Sequence, residues 1–219
     1  ALSGDGGDEL FGGYPHHRNF VRLTRLRGLL RRPVAQSLAW GARAVERMGA
    51  ADLGRRLGKA IGLGALPDDR LLIALKIYFN ERDKRDLLDG AVREAAAAAP
   101  IESAFEPYLS RSAGYAPLQR LLYLDLKTSL PDDMLFKVDR MSMMNSLEVR
   151  VPFLDHKLVE LAFRLPAEAK LRGRLGKYVL RRAMDGTVPP PVLRRPKRGF
   201  EIPLHSWSNP RFQEFARDV

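Results

Sequence analysis

Apolar residues in this chain recur at three- and four-residue intervals much more often than at every second position, a spacing that predicts helices. Over 15–30 the stripe is Phe20, Leu23, Leu26 and Leu30, and Pro33 then sits where a first helical turn tolerates proline, opening a segment over 33–48. A shorter piece over 53–61 is interrupted by Gly54, Gly58, Gly62 and Gly64. Pro67-Asp68-Asp69 starts a helix whose stripe is Leu71, Leu72, Leu75, Tyr78 and Phe79, and 86–88 reads as a satellite turn. The alanine run 95–99 has high helix propensity and little to pack, so an exposed helix is expected. Pro117 opens a helix with Leu118, Leu121, Leu122, Asp125 and Lys127, and Pro131-Asp132-Asp133 restarts helix to about 145. Residues 148–154 read as extended, with Pro152 barring a central strand. Asp155 caps a helix to about 165, another runs over 177–184, Pro189-Pro190-Pro191 reads as a rigid break, and the tail holds at most two short helices. Leu2 can end a strand. The expected class is mainly α with little or no strand, and Trp40 and Trp207 are expected as packing anchors.

Composition narrows the setting. At 219 residues the chain can bury a sizeable core. No apolar run reaches the roughly 20 residues a membrane span needs, and no secretory leader pattern is visible, so a cytoplasmic location is expected. The absence of cysteine excludes disulfides, thiolate metal sites and a thiol nucleophile on these residues. The formal charge of +11 is uneven: between Arg18 and Lys59 eleven Lys/Arg stand against Glu46 and Asp52. Further basic zones run over 164–182 and at Arg194-Arg195-Pro196-Lys197-Arg198. Such fields attract anions, and a basic helical nucleic-acid-binding module is one reading of them. Solvated helix faces rich in Arg are the plainer account, and no nucleic-acid motif accompanies the charge.

The densest chemistry lies in Ser3-Gly4-Asp5-Gly6-Gly7-Asp8-Glu9-Leu10-Phe11-Gly12-Gly13-Tyr14. Acids interleaved with glycine suit a magnesium-bound polyphosphate: carboxylates hold the hard cation and bare amides face phosphate oxygens. Asp8 as N-cap and Glu9 in a first turn are explained by helix entry alone. Asp5 and the Gly6-Gly7 doublet are not. The loop is neither a P-loop, nor a dinucleotide fingerprint, nor an EF-hand. Downstream, Lys177 opens a helix where the macrodipole disfavours a cation, which makes sense if an anion shares the place. Arg181 follows one turn later. Over 130–143, Asp133 and Lys137 form an ordinary i,i+4 pair, while Arg140 and Ser142 stand beside apolar positions. The four histidines lack metal-ligand spacing and read as surface or packing residues.

Together these stretches resemble the synthetase half of glutamine-dependent asparagine synthetases. Matching pieces are Leu-Ser-Gly-Asp-Gly-Gly-Asp-Glu-Leu-Phe-Gly-Gly-Tyr, Leu-Pro-Asp-Asp-Met-Leu-Phe-Lys-Val-Asp-Arg-Met-Ser-Met, Glu-Val-Arg-Val-Pro-Phe-Leu-Asp, Gly-Lys-Tyr-Val-Leu-Arg and Lys-Arg-Gly-Phe-Glu-Ile-Pro-Leu, in family order. Residues 20–115 match only as helices. The resemblance implies the helical C-terminal portion of an α/β adenine-nucleotide-hydrolase-like synthetase domain, with Leu2 ending a strand of a parallel sheet. It also implies one fragment over 1–219, with a ligand loop over 1–14, a basic helical part over 15–115 and site motifs over 116–219. The implied reaction uses ATP and Mg2+: the side-chain carboxylate of substrate aspartate attacks the α-phosphate, and ammonia from glutamine displaces AMP. By position, Ser3 and Gly4, with Gly6 and Gly7, would contact the nucleotide and Asp8 would ligate magnesium. Asp5, Lys177 and Arg140 would carry the catalytic roles. The family's Ser-Gly-Gly-x-Asp-Ser loop and the cysteine-led glutaminase are not among these residues. The chain is therefore expected to be inactive alone, to need those segments of the same protein, and to be prone to self-association. A relative that adenylates another carboxylate, as β-lactam synthetases do, is the nearest alternative.

Overall fold

The structure, a computed structural model, describes residues 1–26, 34, 37–38, 40–41, 47, 50–77, 79, 81–197, 199 and 210–218. The chain divides into two compact units, Ala1–Met184 and Asp185–Val219. Part of the basic 18–59 zone, most of the expected 33–48 helix, Tyr78, His205, Trp207 and most of the Lys-Arg-Gly-Phe-Glu-Ile-Pro-Leu stretch fall outside the described residues.

The first unit opens with α1 (Gly7–Phe11) and α2 (Pro15–Leu26), followed by α3 (Ala51–Gly64), α4 (Asp68–Ala74), α5 (Glu81–Leu87), α6 (Gly90–Ala98) and α7 (Ile101–Arg111). Next come α8 (Pro117–Lys127), a π-helical turn (Leu130–Leu135) that runs into α9 (Phe136–Met143), and a 3-10 turn (Pro152–Leu154). It closes with α10 (His156–Arg164), α11 (Ala167–Lys170) and α12 (Tyr178–Ala183). The second unit contains α13 (Pro190–Arg194) and α14 (Pro210–Asp218). Strand-like pairing among the described residues is confined to two bridges, Leu2 with Arg150 in parallel and Arg172 with Leu175 antiparallel. In the first, the Ser3 N–H donates to the Arg150 carbonyl at 2.8 Å and the Arg150 N–H to the Ala1 carbonyl at 2.9 Å. The mainly α reading therefore holds, and no helix among the described residues is long and apolar enough to cross a membrane.

The packing is organised by α8. Proline at its first turn costs no hydrogen bond there, and leucines three and four residues apart cover more than one side of the helix. Leu121 and Leu124 enter a core with Phe20 of α2, Leu71, Leu72 and Ile73 of α4, and Phe105 and Leu109 of α7. Leu126 packs instead with Leu10 and Phe11 of α1, Phe153, and Ala162 of α10. One helix thus joins the supporting core to the elements that carry the glycine loop.

Several expectations change on inspection. Trp40 is 75% exposed, where a packing anchor was expected to be buried. Phe79 lies beyond the end of α4, which stops at Ala74, and is exposed as well. The stretch 86–88 belongs mostly to the longer α5. Pro189 precedes α13 and Pro190 begins it, so the proline run starts a helix rather than only breaking the chain, consistent with proline's tolerance at N1. The helix expected from Pro131 begins as a wider π turn, and only Arg150 of the 148–154 stretch pairs before the chain tightens into the 3-10 turn. The exposed alanine-rich helix and the Asp155 cap match: Asp155 accepts from the Lys157 and Leu158 amides, and α6 buries no residue.

Leu121 is fully buried, so Leu121→Ala should lower the unfolding free energy by about 3 kcal/mol through lost burial and the cavity left behind. Equilibrium denaturation of the protein checks this as a lower midpoint at unchanged slope.

Candidate functional site

The glycine loop works as a hinge into α1. Gly6 (φ 82°) and Gly12 (φ 72°) are left-handed on either side of this five-residue helix, a conformation glycine adopts without penalty. Ser3 folds over the loop start, its hydroxyl donating to Asp5 Oδ2 at 2.5 Å while accepting from the Asp5 amide at 3.3 Å. Phe153 packs against Gly7, and Leu154 fills the space a Gly6 side chain would need. At Gly4 no atom lies within 4 Å of where a side chain would begin, so the loop is open on that side.

Lys177 comes to this loop from 169 residues downstream. Its Nζ lies 2.9 Å from Asp8 Oδ1, an ion pair in which Asp8 is mostly buried and Lys177 about a quarter exposed. The approach is possible because two glycines lack side chains. A Cβ on Gly13 would fall on Asp8 Oδ1 and on Lys177 Cε, and one on Gly176 would lie 2.5 Å from the Gly12 carbonyl oxygen. The Lys177 amide donates to the Phe11 carbonyl at 3.0 Å. Lys177 is the N-cap of α12 and is itself left-handed (φ 55°, ψ 35°), just ahead of the first turn in which it was expected. That conformation costs a side-chain-bearing residue about 1–2 kcal/mol. Around it, Arg18 donates to the Arg174 carbonyl at 2.5 Å and Arg181 Nε to the Gly176 carbonyl at 3.1 Å.

Ser3, Asp5, Gly6, Gly7 and Asp8 are therefore gathered on one loop, with Lys177 against it. Arg140 is placed differently. It is exposed on α9, its guanidinium 5.1 Å from the ring centroid of Phe136 on the same helix. Lys137 pairs with Asp133 at 3.5 Å, as its spacing predicts.

Behind α1 lies a group the sequence reading missed. Asp125 of α8 is buried in a stripe otherwise made of leucine. Its Oδ2 is 2.6 Å from His17 Nε2 and 3.3 Å from His16 Nε2, and its Oδ1 meets the Lys76 ammonium. His17 is completely buried, which of the two readings, surface or packing, bears out the second. Burial pushes His16 down to about 4 and His17 well below the usual histidine value. Both rings are thus neutral near pH 7, and donation from Nε2 satisfies the carboxylate. The three ligand-type atoms lie within 4.8 Å of one another, and the ammonium of Lys76 meets the same carboxylate, so the cluster is an ion-paired hydrogen-bond network. Tyr14 extends it: its hydroxyl donates to the buried Glu9 at 2.6 Å and its ring stacks on His16. Burial first, then Glu9, pushes the Tyr14 phenol far above its ordinary range. The available signal was a lone acid in an apolar stripe together with two adjacent histidines after Gly-Gly-Tyr-Pro.

The sequence profile of the asparagine synthase family matches residues 1–219. The chain is 34% identical over 220 residues to glutamine-hydrolysing asparagine synthetase 1 of Bacillus subtilis strain 168, covering 100% of this chain and 33% of that protein. It is 30% identical over 207 residues to asparagine synthetase 3 of the same organism, covering 94% and 26%. Against human glutamine-hydrolysing asparagine synthetase, identity is 32% over 80 residues, covering 35% and 14%. This chain belongs to the asparagine synthase family. It spans about a quarter to a third of the length of the curated relatives matched over most of it. No solved structure matches it.

The histidines give the fold a pH dependence of definite sign. With His16 at about 4 in the folded chain against 6.5 when free, the unfolded state binds the extra proton between those values. Stability should therefore fall as pH drops from about 6.5 toward 4, with His17 acting in the same direction. Denaturation midpoints measured across that window should decline, and His16→Asn should flatten the decline.

Proposed function

We propose that this chain forms part of an ATP-dependent amide ligase that adenylates the side-chain carboxylate of aspartate and amidates it with ammonia derived from glutamine. The observation that carries the reading is the Asp8–Lys177 pair, closed over the bare α-carbon of Gly13 beside an open, amide-rich loop. Adenylation transfers the α-phosphoryl group: a carboxylate oxygen of aspartate bonds to the α-phosphorus, the bond to the bridging oxygen breaks, and pyrophosphate leaves with its charge. An ammonium aimed at the phosphates stabilises that charge as it grows, which is the kind of preorganised electrostatic contribution that dominates many active sites. Lys177 fills this role.

The donor set also fits a hard divalent cation. Asp8 offers a carboxylate oxygen at the loop, the hard donor such a cation takes, and in this structure Lys177 holds it. In this reading Asp8 holds magnesium, which supplies charge neutralisation to the phosphates when bound. Ser3, Gly4, Gly6 and Gly7 line the nucleotide, and Asp5, held by the Ser3 hydroxyl, faces the acyl-adenylate. Arg140 is a second cation only if ligand binding draws α9 toward the loop. The glutaminase and the Ser-Gly-Gly-x-Asp-Ser loop belong to sequence of the same protein outside these residues, and a cytoplasmic site of action suits free ATP and aspartate. The exposed Phe136, Met141, Met143 and Met144 of α9 and its end form a surface for those segments or for a second copy.

Substitution tests the reading in the full-length protein, followed as aspartate-dependent release of pyrophosphate from ATP. Lys177→Met should reduce turnover at least 100-fold while the fold persists, in line with the loss of one charge-stabilising group. Gly13→Ala should also cost most of the activity, because its methyl group displaces Asp8 and Lys177. Wild-type turnover in Lys177→Met would remove the adenylation reading.

A further inference from the structure

Tyr14 stands between Gly13, whose bare α-carbon admits Lys177 to Asp8, and His17, which is hydrogen-bonded to Asp125. Its hydroxyl donates to Glu9 Oε1 at 2.6 Å, a bond that reaches back across Gly12-Gly13 into α1. Its carbonyl accepts the His17 amide at 3.2 Å. Its ring is stacked on His16, with centroids 5.3 Å apart, and edge-on to His17 at 5.4 Å. One residue therefore holds α1 through its hydroxyl and the start of α2 through its ring and backbone. The start of α2 is itself anchored, because both histidines reach Asp125 of α8.

The bond to Glu9 has leverage because α1 is only five residues long and has a left-handed glycine at each end. A helix so short has little rigidity of its own, and glycine is the least restricted backbone a chain contains. The burial of Leu10 and Phe11 holds α1 down, but apolar contact is non-directional. A hydrogen bond has a preferred direction. Successive residues stand about 100° apart around a helix axis, so the heading of the Glu9 side chain sets that of Asp8. Glu9 is 3% exposed and meets Tyr14, while Asp8 meets Lys177.

We infer that Tyr14 is a positioning residue for the candidate site: its hydroxyl, hydrogen-bonded to Glu9, ties α1 to the anchored start of α2 and so holds Asp8 and Gly13 in the arrangement that meets Lys177 and the bound nucleotide. The inference rests on the adenylation reading for the identity of the ligand, Mg–ATP.

The test uses full-length protein and two readouts: the thermal midpoint, and the Kd of Mg–ATP by titration calorimetry at a temperature where every variant is folded. Tyr14→Phe removes one oxygen and keeps the ring against His16 and His17. It should weaken Mg–ATP about 10-fold, the scale of one hydrogen bond to a charged group. Glu9→Gln still offers a carbonyl oxygen to the hydroxyl and should bind Mg–ATP as the wild type does. Glu9→Met, similar in length but without an acceptor, should match Tyr14→Phe. The double variant Tyr14→Phe/Glu9→Met should be no weaker than either single one, because both remove the same bond. A Tyr14→Phe protein with a lower midpoint and wild-type affinity would mark a merely structural role and overturn the proposal. Additive losses in the double variant, or weakened affinity in Glu9→Gln, would equally overturn it. Wild-type protein that binds Mg–ATP but releases no pyrophosphate with aspartate would sink the adenylation reading, whereas the Mg–ATP affinities of the variants decide the role of Tyr14 by themselves.

Discussion

Everything at this site depends on how closely two stretches of backbone can approach, Gly12-Gly13 from one end of the chain and Gly176-Lys177 from the other. The Lys177 amide reaches the Phe11 carbonyl, and Gly176 sits against the Gly12 oxygen with no space for another carbon. Close packing of this kind sets the separation of Asp8 and Lys177 before electrostatics acts. The ion pair then forms at 2.9 Å with modest exposure, where two charges attract more strongly than they would in open solvent.

Behind that contact the molecule is layered by polarity. On the outer side of α1 lie the open loop and the Asp8–Lys177 pair. On the inner side lie Glu9, Tyr14 and the Lys76–Asp125–His17 group, enclosed by leucines. Buried charge is tolerable only when paired and hydrogen-bonded, and here three donors meet the two oxygens of one carboxylate. α8 supplies that carboxylate while also dividing its leucines between two apolar clusters. It therefore links the general stability of the unit to the orientation of the loop.

The loop itself was legible because its acids and glycines exceed what a helix start requires. Asp5 and Lys177 stood out for the same reason, each being a residue whose local role left something unexplained. Leucine spacing located α8, and the Asp155 cap located the start of α10. What could not be read from the sequence depends on distant partners. Lys76 has no local pattern to distinguish it from a solvated lysine, and for His17 the sequence left surface and packing open until Asp125 was found opposite it. Trp40 misled in the other direction: a large aromatic ring predicts packing, yet exposure is set by what the rest of the chain brings to it. The wide turn at Leu130–Leu135 was invisible for another reason, since six residues are too few for an apolar period to tell one helical winding from another.

Lys177 carries one more consequence in its backbone angles. A left-handed lysine is something a chain retains only against a steady thermodynamic pull, because glycine or asparagine would relax the same turn. Under the role proposed for Lys177, glycine or asparagine at this position would give a sturdier chain at the expense of turnover.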